Sequence, residues 1–207
     1  MRKRRVENMN ASGKGCYWLS GRSVAITSVA GLLLFLLALP DQTWARENAA
    51  LNTVAWNAAR KLNWNDFQAT APPKVYEAAQ SQCGIGYETK TAPANELLNI
   101  KVSANFYLKD SWSRDSERNS RLLQHEQTHF DLCELYARKL RQNIAQAHYT
   151  GADIHKVGKV YADLTAELNK VELQYDEETT HGLNITKQHE WNERISAQLA
   201  ALNSFSS

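Results

Sequence analysis

The sequence has little net charge, and this shortage limits the partners that the protein can have. Its 207 residues carry 24 Lys and Arg against 22 Asp and Glu, a formal net charge of +2. Residues 1–45 hold six of the basic and two of the acidic side chains, so residues 46–207 carry 18 basic and 20 acidic ones, a formal net charge of −2. A surface that binds nucleic acid is strongly basic. We therefore expect no nucleic-acid partner.

Cysteine is also scarce, with three residues in the chain. Cys16 lies close to the amino terminus, which leaves Cys83 and Cys133 as a pair in the rest of the sequence. In an oxidising compartment such a pair permits one disulfide. Two separate buried thiols are the alternative, and the sequence leaves the choice open.

Long apolar runs are limited to one, Val24 to Leu39, which is short for the roughly 20 residues that a membrane-spanning helix needs. The run follows a basic amino terminus and precedes the small-residue site Thr43-Trp44-Ala45, an order typical of a secretory signal peptide. We predict cleavage after Ala45 and a periplasmic or secreted protein. The alternative is an inner-membrane anchor through residues 24–39, with the folded part in the periplasm.

The remaining length predicts a single domain. Residues 46–60 are rich in Ala and Asn and are expected to form a lead-in segment, either loosely ordered or a short helix. Residues 61–205 carry the apolar patterns of a folded domain. About 160 residues suffice for one domain with its own core.

Two strands are predicted in the first half of this domain. Leu98 to Leu108 alternates apolar and polar residues, which indicates a strand with one buried face, and Gly84 to Thr89 indicates a shorter strand. The longer strand is a candidate edge for pairing with an extended peptide. An ordinary strand that covers one side of a helix is the alternative.

Three helices are predicted after the strands. No Gly or Pro interrupts the chain from Asp115 to Thr150, and Ser113 or Asp115 can cap the start of a helix that ends at Gly151. A second helix runs to about Thr179, and Asn184 can cap a third. The expected fold class is α+β, with a small antiparallel sheet packed on three helices.

The first predicted helix contains His125-Glu126-Gln127-Thr128-His129, which fits the H-E-x-x-H pattern of zinc proteases. Residues four apart lie on one face of a helix, with Cβ atoms roughly 5–6 Å apart, so both imidazoles can bind one Zn²⁺. Glu126 can then act as a general base that takes a proton from water and passes it to the leaving amine. Two histidines without a metal are the alternative, at the cost of burying polar groups that lack partners.

A catalytic zinc site has three protein ligands, so a third is expected downstream. His181 is the preferred candidate, because it stands beside Gly182 at a helix end where the chain can turn an imidazole toward a neighbouring helix. Asp176 and Glu172 are the alternatives, since their E-x-x-x-D spacing is the one by which many zinc proteases supply a ligand and its supporting carboxylate.

Other polar residues near the motif have secondary roles in this interpretation. A ligand imidazole normally donates its second N–H to a carboxylate or a carbonyl, and Asp131 and Glu134 are candidates for that acceptor. His148, His155 and His189 are expected to take no part in metal binding.

Four motifs in this order resemble a bacterial family of exported proteins, interpreted as zinc-dependent proteases and first catalogued as a domain of unknown function. The motifs are Leu62-x-Trp64-x-Asp66-Phe67 with Pro72-Pro73, Leu122 to Asp131, Glu134 to Arg141, and Tyr175-Asp176-x-x-Thr179-x-His181-Gly182. The resemblance covers about Leu62 to Trp191. It implies a zincin-like fold, zinc on His125 and His129, and Glu126 as the general base, and it names no substrate.

The sequence therefore favours an exported zinc metallopeptidase that acts on a peptide or protein. A non-catalytic envelope module, which binds a partner or assists assembly and keeps the metal for structure, is the alternative. A closed site with four protein ligands would favour the module, whereas a site with an open position would favour the enzyme.

Overall fold

The computed structural model describes residues 4–8, by their backbone alone, and residues 52–207. The predicted apolar leader at 24–39 and the predicted cleavage site after Ala45 lie outside these residues. Within them, no helix combines the length and the apolar character that crossing a membrane requires. The boundaries of leader, lead-in segment and domain stay predictions.

Six strands in the described part of the chain form two antiparallel sheets. The larger sheet has the order β1-β4-β5-β2, and the smaller one joins β3 to β6. The strands are β1 (Arg4–Asn8), β2 (Thr53–Ala55), β3 (Ala79–Gln80), β4 (Cys83–Lys90), β5 (Ile100–Tyr107) and β6 (Trp112–Ser113). Both predicted strands are confirmed, as β4 and β5.

The position of β5 corrects one prediction. It is an interior strand, because β4 pairs along one side and β2 along the other, with Ala104 opposite Ile85 and Phe106 opposite Val54. The proposed role of this strand as an edge for an extended peptide is therefore wrong. The segment predicted as loose or helical instead contributes β2, whose three residues are too few to show an alternating pattern.

Three long helices follow the sheets, as predicted, and the fold class is α+β. They are α1 (Ser120–Ala147), α2 (Ile154–Thr179) and α3 (Ile185–Ala201). The predicted start of α1 is wrong: Asn119 is the cap, and its side chain accepts a hydrogen bond from the backbone of Leu122. The predicted capping positions lie earlier, in β6 and in a 3₁₀ turn at Asp115–Glu117. Asn184 caps α3 as predicted.

The core lies between the larger sheet and α1. Phe106 of β5 and Phe130 of α1 are buried, with ring centroids 5.7 Å apart. On α2, Tyr161 is buried and donates a hydrogen bond of 2.9 Å to the carbonyl of Ile85 in β4. Each such aromatic or aliphatic side chain contributes about 1.5–3 kcal/mol by its burial. These contacts fix α1, and with it the H-E-x-x-H motif, against the sheet.

A buried charge cluster joins α1 to the carboxyl end of the chain. Glu134 is fully buried and accepts hydrogen bonds from Arg138 at 2.9 Å and from Arg141 at 3.0 Å. Both arginines also reach the last residues: Arg138 donates to the carbonyl of Leu199 at 2.6 Å, and Arg141 to that of Phe205 at 2.9 Å. The buried carboxylate is thus paired, as a buried charge must be.

Candidate metal centre

Helix α1 carries the H-E-x-x-H motif near its amino-terminal end, on the side that faces α2. His125 and Glu126 are buried, and His129 is nearly so. The two imidazole rings lie one turn apart, with centroids separated by 4.9 Å and planes at 87°. The helical spacing therefore brings both rings to one place, as the sequence predicts.

Asp176 of α2 completes a group of three ligand atoms. Its Oδ1 lies 3.2 Å from Nε2 of His125 and 3.0 Å from Nε2 of His129. The potential ligand atoms of these three residues all lie within 4.8 Å of one another. Two imidazole nitrogens and one carboxylate oxygen are a donor set that catalytic zinc sites use.

Two observations test whether this group fits a zinc ion. Ligand atoms on a tetrahedral zinc, with bonds of about 2.0–2.1 Å, lie roughly 3.3 Å apart, close to the 3.0 and 3.2 Å seen here. In addition, Oε2 of Glu126 is buried and has no hydrogen-bond partner among the described residues. A buried carboxylate oxygen without a partner is costly, so it indicates a position that a further group should fill. The residues fit zinc.

Hydrogen bonds set the charge state of this group. Burial raises the pKa of Asp176, but hydrogen bonds from His125 and His129 outweigh it and hold that pKa well below its ordinary value. Burial lowers the pKa of His129, but the carboxylates of Asp176 and Glu172 outweigh it and place that pKa well above its ordinary value. The site therefore favours an ionised Asp176 beside a positive charge, which a divalent cation would also supply.

His125 is oriented by residues of α2 and α3. Its Nδ1 lies 3.1 Å from Oε1 of Gln188, and an N–H that donates there leaves Nε2 to face Asp176. The ring of Tyr175 stacks on the imidazole at a centroid distance of 4.7 Å, and its hydroxyl donates to the carbonyl of His125. The stacked ring of Tyr175 fixes the ring plane, and the Gln188 oxygen favours the tautomer with its proton on Nδ1, as outer partners of metal ligands do.

Gly182 packs directly against His125. A Cβ at this position would lie 2.9 Å from the Cβ of His125, and the backbone has φ +80°. The close approach and the positive φ both require glycine. The turn after α2 thus closes tightly over the first ligand of the motif.

His129 has carboxylates as its neighbours instead. Its Nδ1 lies 3.8 Å from Oε1 of Glu172, which is longer than a hydrogen bond, while its Nε2 faces Asp176. Tyr175 meets this ring edge-on, at a centroid distance of 4.9 Å. Both carboxylates lie on α2, one turn apart, so this helix supplies the two carboxylates that face the histidines most closely.

A cavity of about 270 Å³ opens beside the three ligands and Glu126. Residues between Val75 and Ser81, which include β3, form another part of its wall. Arg114 holds this segment by donating to the carbonyls of Val75 at 2.8 Å and Glu77 at 3.2 Å, and the hydroxyl of Ser81 donates to the carbonyl of Glu126. The glutamate of the motif therefore borders a cavity whose wall at residues 75–81 is held by these hydrogen bonds.

His181, the first candidate for the third ligand, lies at the mouth of this cavity. Its side chain is 58% exposed, and its Nδ1 is 3.6 Å from Oδ1 of Asp176. It does not belong to the three residues whose ligand atoms cluster within 4.8 Å. The structure places the alternative candidate, Asp176, between the two imidazoles, and metal binding by His181 stays a prediction.

The other residues considered from the sequence have partners elsewhere. Asp131 accepts hydrogen bonds from Trp56 at 2.6 Å and from Gln127 at 2.8 Å, and Glu134 pairs with the two arginines already described. In the described part of the chain, neither carboxylate forms a hydrogen bond or an ion pair with the imidazoles. The remaining histidines, His148, His155 and His189, are exposed.

Two residues that orient His125 were not predicted from the sequence. Gln188 is separated from His125 by 63 positions, and a glutamine in a polar helix has no distinguishing pattern. Tyr175 is fully buried, and its regular spacing after Leu168 and Val171 is a signal that could have placed it on the inner face of α2. Its position one residue before Asp176 then suggests contact with the site.

The family match, found by comparison with known protein families, covers the central part of the chain. Residues 89–182 match the family model described as Bacterial protein of unknown function (DUF922). This confirms the predicted resemblance to a bacterial family catalogued as a domain of unknown function, although over a shorter range than the predicted Leu62 to Trp191. The family description names neither a protease activity nor a zincin-like fold. No curated protein and no solved structure matches the chain. The matched range contains the H-E-x-x-H motif and Asp176 but ends before Gln188.

Proposed function

We propose that this chain, whose residues 89–182 match the DUF922 family, is a zinc-dependent metallopeptidase. The observation that carries the proposal is the convergence of His125, His129 and Asp176 beside the unpaired carboxylate oxygen of Glu126, in an open cavity. Three protein ligands leave a position free, which is typical of catalytic rather than structural zinc sites. The zincin-like fold and the export of the enzyme are part of this proposal and rest on the sequence.

The proposed zinc site uses Nε2 of both histidines and Oδ1 of Asp176. Zinc bound there supplies Lewis-acid chemistry, which polarises a peptide carbonyl and makes a water molecule more acidic. Gln188 keeps the Nδ1 proton of His125 in place, so that Nε2 presents a lone pair. Without zinc, hydrogen bonds from the two imidazoles hold the pKa of Asp176 well below its ordinary value, and a bound zinc would favour the ionised carboxylate in their place.

Glu126 is the proposed general base. It borders the cavity, is buried, and has one oxygen without a partner among the described residues, so that oxygen is free to accept a proton from water. The same carboxyl group can return the proton to the leaving amine. The main-chain carbonyl of Glu126 is held by Ser81, which limits rotation of this part of α1 relative to the cavity wall.

The proposed substrate is an extended segment of a peptide or protein. Strands β3 and β6 are antiparallel, and next to them the carbonyl of Ala78 accepts a hydrogen bond from the backbone N–H of Arg114. Hydrogen-bonded and non-hydrogen-bonded pairs alternate along an antiparallel ladder. The N–H and C=O groups of the next residue, Ala79, therefore point away from β6. Ala79 borders the cavity. An extended backbone could pair with β3 there, which gives β3 the role that β5 cannot fill.

The decisive experiment compares the purified full chain with its Glu126→Gln variant on a mixed peptide library, after zinc content has been measured for both. We expect one zinc per chain in both proteins, cleavage by the wild type, and a loss of at least about 100-fold in the variant, because the general base is removed. Glu177→Gln, an exposed change on α2, is the matched control and should cleave like the wild type. Equal zinc content without cleavage by either protein would contradict the proposal.

A non-catalytic metal module is the second candidate, and the position of His181 favours it. A small movement of this imidazole, whose Nδ1 is 3.6 Å from Oδ1 of Asp176, would add a fourth ligand and close the site. Zinc content of a His181→Ala variant separates the two candidates. Retention of zinc supports the open, catalytic site, and loss of zinc both in this variant and in Asp176→Asn supports the closed one.

A further inference from the structure

We infer that Cys83 and Cys133 are a redox-active pair that closes to a disulfide beneath the metal centre. The Sγ atoms of these two buried residues lie 2.9 Å apart. To reach a disulfide bond of about 2.05 Å, they need to approach by less than about 1 Å. This inference does not depend on the proposed peptidase activity.

The pair joins the two structural elements that shape the site. Cys133 follows His129 by one turn of α1, and Cys83 begins β4 and borders the same cavity as Glu126. Ser81, two residues before Cys83, already donates to the carbonyl of Glu126. A bond between the thiols would therefore fasten the cavity wall to the helix that carries the metal ligands.

The oxidation needs a disulfide oxidant, such as glutathione disulfide. The thiolate of Cys83, which borders the cavity, attacks one sulfur of the oxidant and releases the first glutathione thiolate. The thiolate of Cys133 then attacks Sγ of Cys83 and releases the second. The two cysteines lose two protons and two electrons, and the oxidant is reduced to two thiols.

A metal bound by the same pair is the competing interpretation, because Oε1 of Glu172 lies 3.8 Å from Sγ of Cys133 and the three ligand atoms lie within 4.8 Å of one another. The sulfur separation decides between the two. Two thiolates on one tetrahedral zinc, with bonds of about 2.3 Å, lie roughly 3.8 Å apart, well beyond the observed 2.9 Å. The geometry favours the disulfide.

The test equilibrates the full chain with buffers of reduced and oxidised glutathione, followed by acid quenching, alkylation under denaturing conditions and peptide mass spectrometry. We expect a peptide that links Cys83 to Cys133 at the oxidising end, with no such peptide from the Cys83→Ser variant. Alkylation of both Cys83 and Cys133 at every ratio of reduced to oxidised glutathione would overturn the inference. Thiols that become alkylated in the native protein after chelator treatment, without reductant, would overturn it in favour of a metal.

The melting temperature gives an independent measurement. The bond would close a loop of about 50 residues, so the oxidised protein should melt on the order of 10 °C above the reduced one. A variant with both cysteines replaced by serine should show no response to glutathione. A linked peptide without a higher melting temperature would mean that the link forms outside the native structure, and would overturn the inference.

Discussion

His125 and His129 lie one turn apart on α1, but different parts of the molecule orient them. The outer nitrogen of His125 faces the neutral amide of Gln188 on α3, at 3.1 Å. The outer nitrogen of His129 faces the carboxylate of Glu172 on α2, at the longer distance of 3.8 Å. The first partner lies beyond residues 89–182, which match the family, and the second lies within them.

This comparison teaches that the two ligands differ in charge environment and in rigidity. His129 shares its surroundings with Asp176 and Glu172, and its pKa is raised well above the ordinary value. His125 also faces Asp176, at 3.2 Å, but its other contacts are uncharged, because the ring of Tyr175 stacks on it and Gly182 packs on its Cβ. One ligand is therefore fixed mainly by packing and a neutral hydrogen bond, and the other mainly by electrostatic attraction.

The largest effect is expected from Asp176, which contacts both ligands. Asp176→Asn removes the negative charge between the imidazoles, and we expect zinc affinity to fall by more than the roughly 10–100-fold that the loss of an outer partner costs. Competition with a chelator of known affinity measures it. Asp163→Asn, an exposed change on the same helix, is the control. Unchanged affinity in Asp176→Asn, together with loss in His181→Ala, would identify His181 as the third ligand instead.

Replacement of Gln188 is expected to have the next largest effect. It removes an outer partner of His125 and leaves the carboxylates beside His129 unchanged. Gln188→Leu removes the acceptor for the Nδ1 proton, so zinc affinity should fall about 10–100-fold, whereas Gln188→Glu should restore binding through its carboxylate oxygen. The exposed change Gln198→Leu on α3 is the control. Equal zinc affinity in Gln188→Leu and the wild type would show that packing by Tyr175 and Gly182 is sufficient.

Glu172 is expected to have the smallest effect. Its carboxylate lies beyond hydrogen-bond distance from Nδ1 of His129, so Glu172→Gln should weaken zinc binding less than about 10-fold. The same chelator competition measures it, with Glu177→Gln as the control. A loss as large as that of Gln188→Leu would mean that the carboxylate moves into contact when zinc binds, and the contrast between the two histidines would disappear.

Helical periodicity explains what could be predicted from the sequence. The stripes that include Phe130, Tyr161 and Trp191 define three helices, and an H-E-x-x-H spacing on one of them places two imidazoles on one face. The E-x-x-x-D spacing on α2 likewise brought Asp176 forward as an alternative ligand. Both spacings lie within a single helix, so they can be recognised without knowledge of the tertiary structure.

The missed features depend on contacts between distant segments. The preference for His181 over Asp176 could not be tested without the relative position of α1 and α2, and Gln188 reaches His125 only because α3 packs back onto α1. The edge strand was misassigned for the same reason, since a three-residue partner such as β2 leaves no alternating pattern. The types of side chain in a segment do not reveal which distant helix or strand will pack against it.

The contacts of Arg138 and Arg141 with the carbonyls of Leu199 and Phe205 have a practical consequence. Removal of residues 199–207 by a protease, or their displacement by a purification tag, would take two acceptors from arginines that neutralise the buried Glu134. Because Glu134 lies on the same helix as His129, such damage at the tail would be transmitted to the metal-binding end of α1. Expression vectors for this protein should keep the last nine residues intact and place any tag after a flexible spacer.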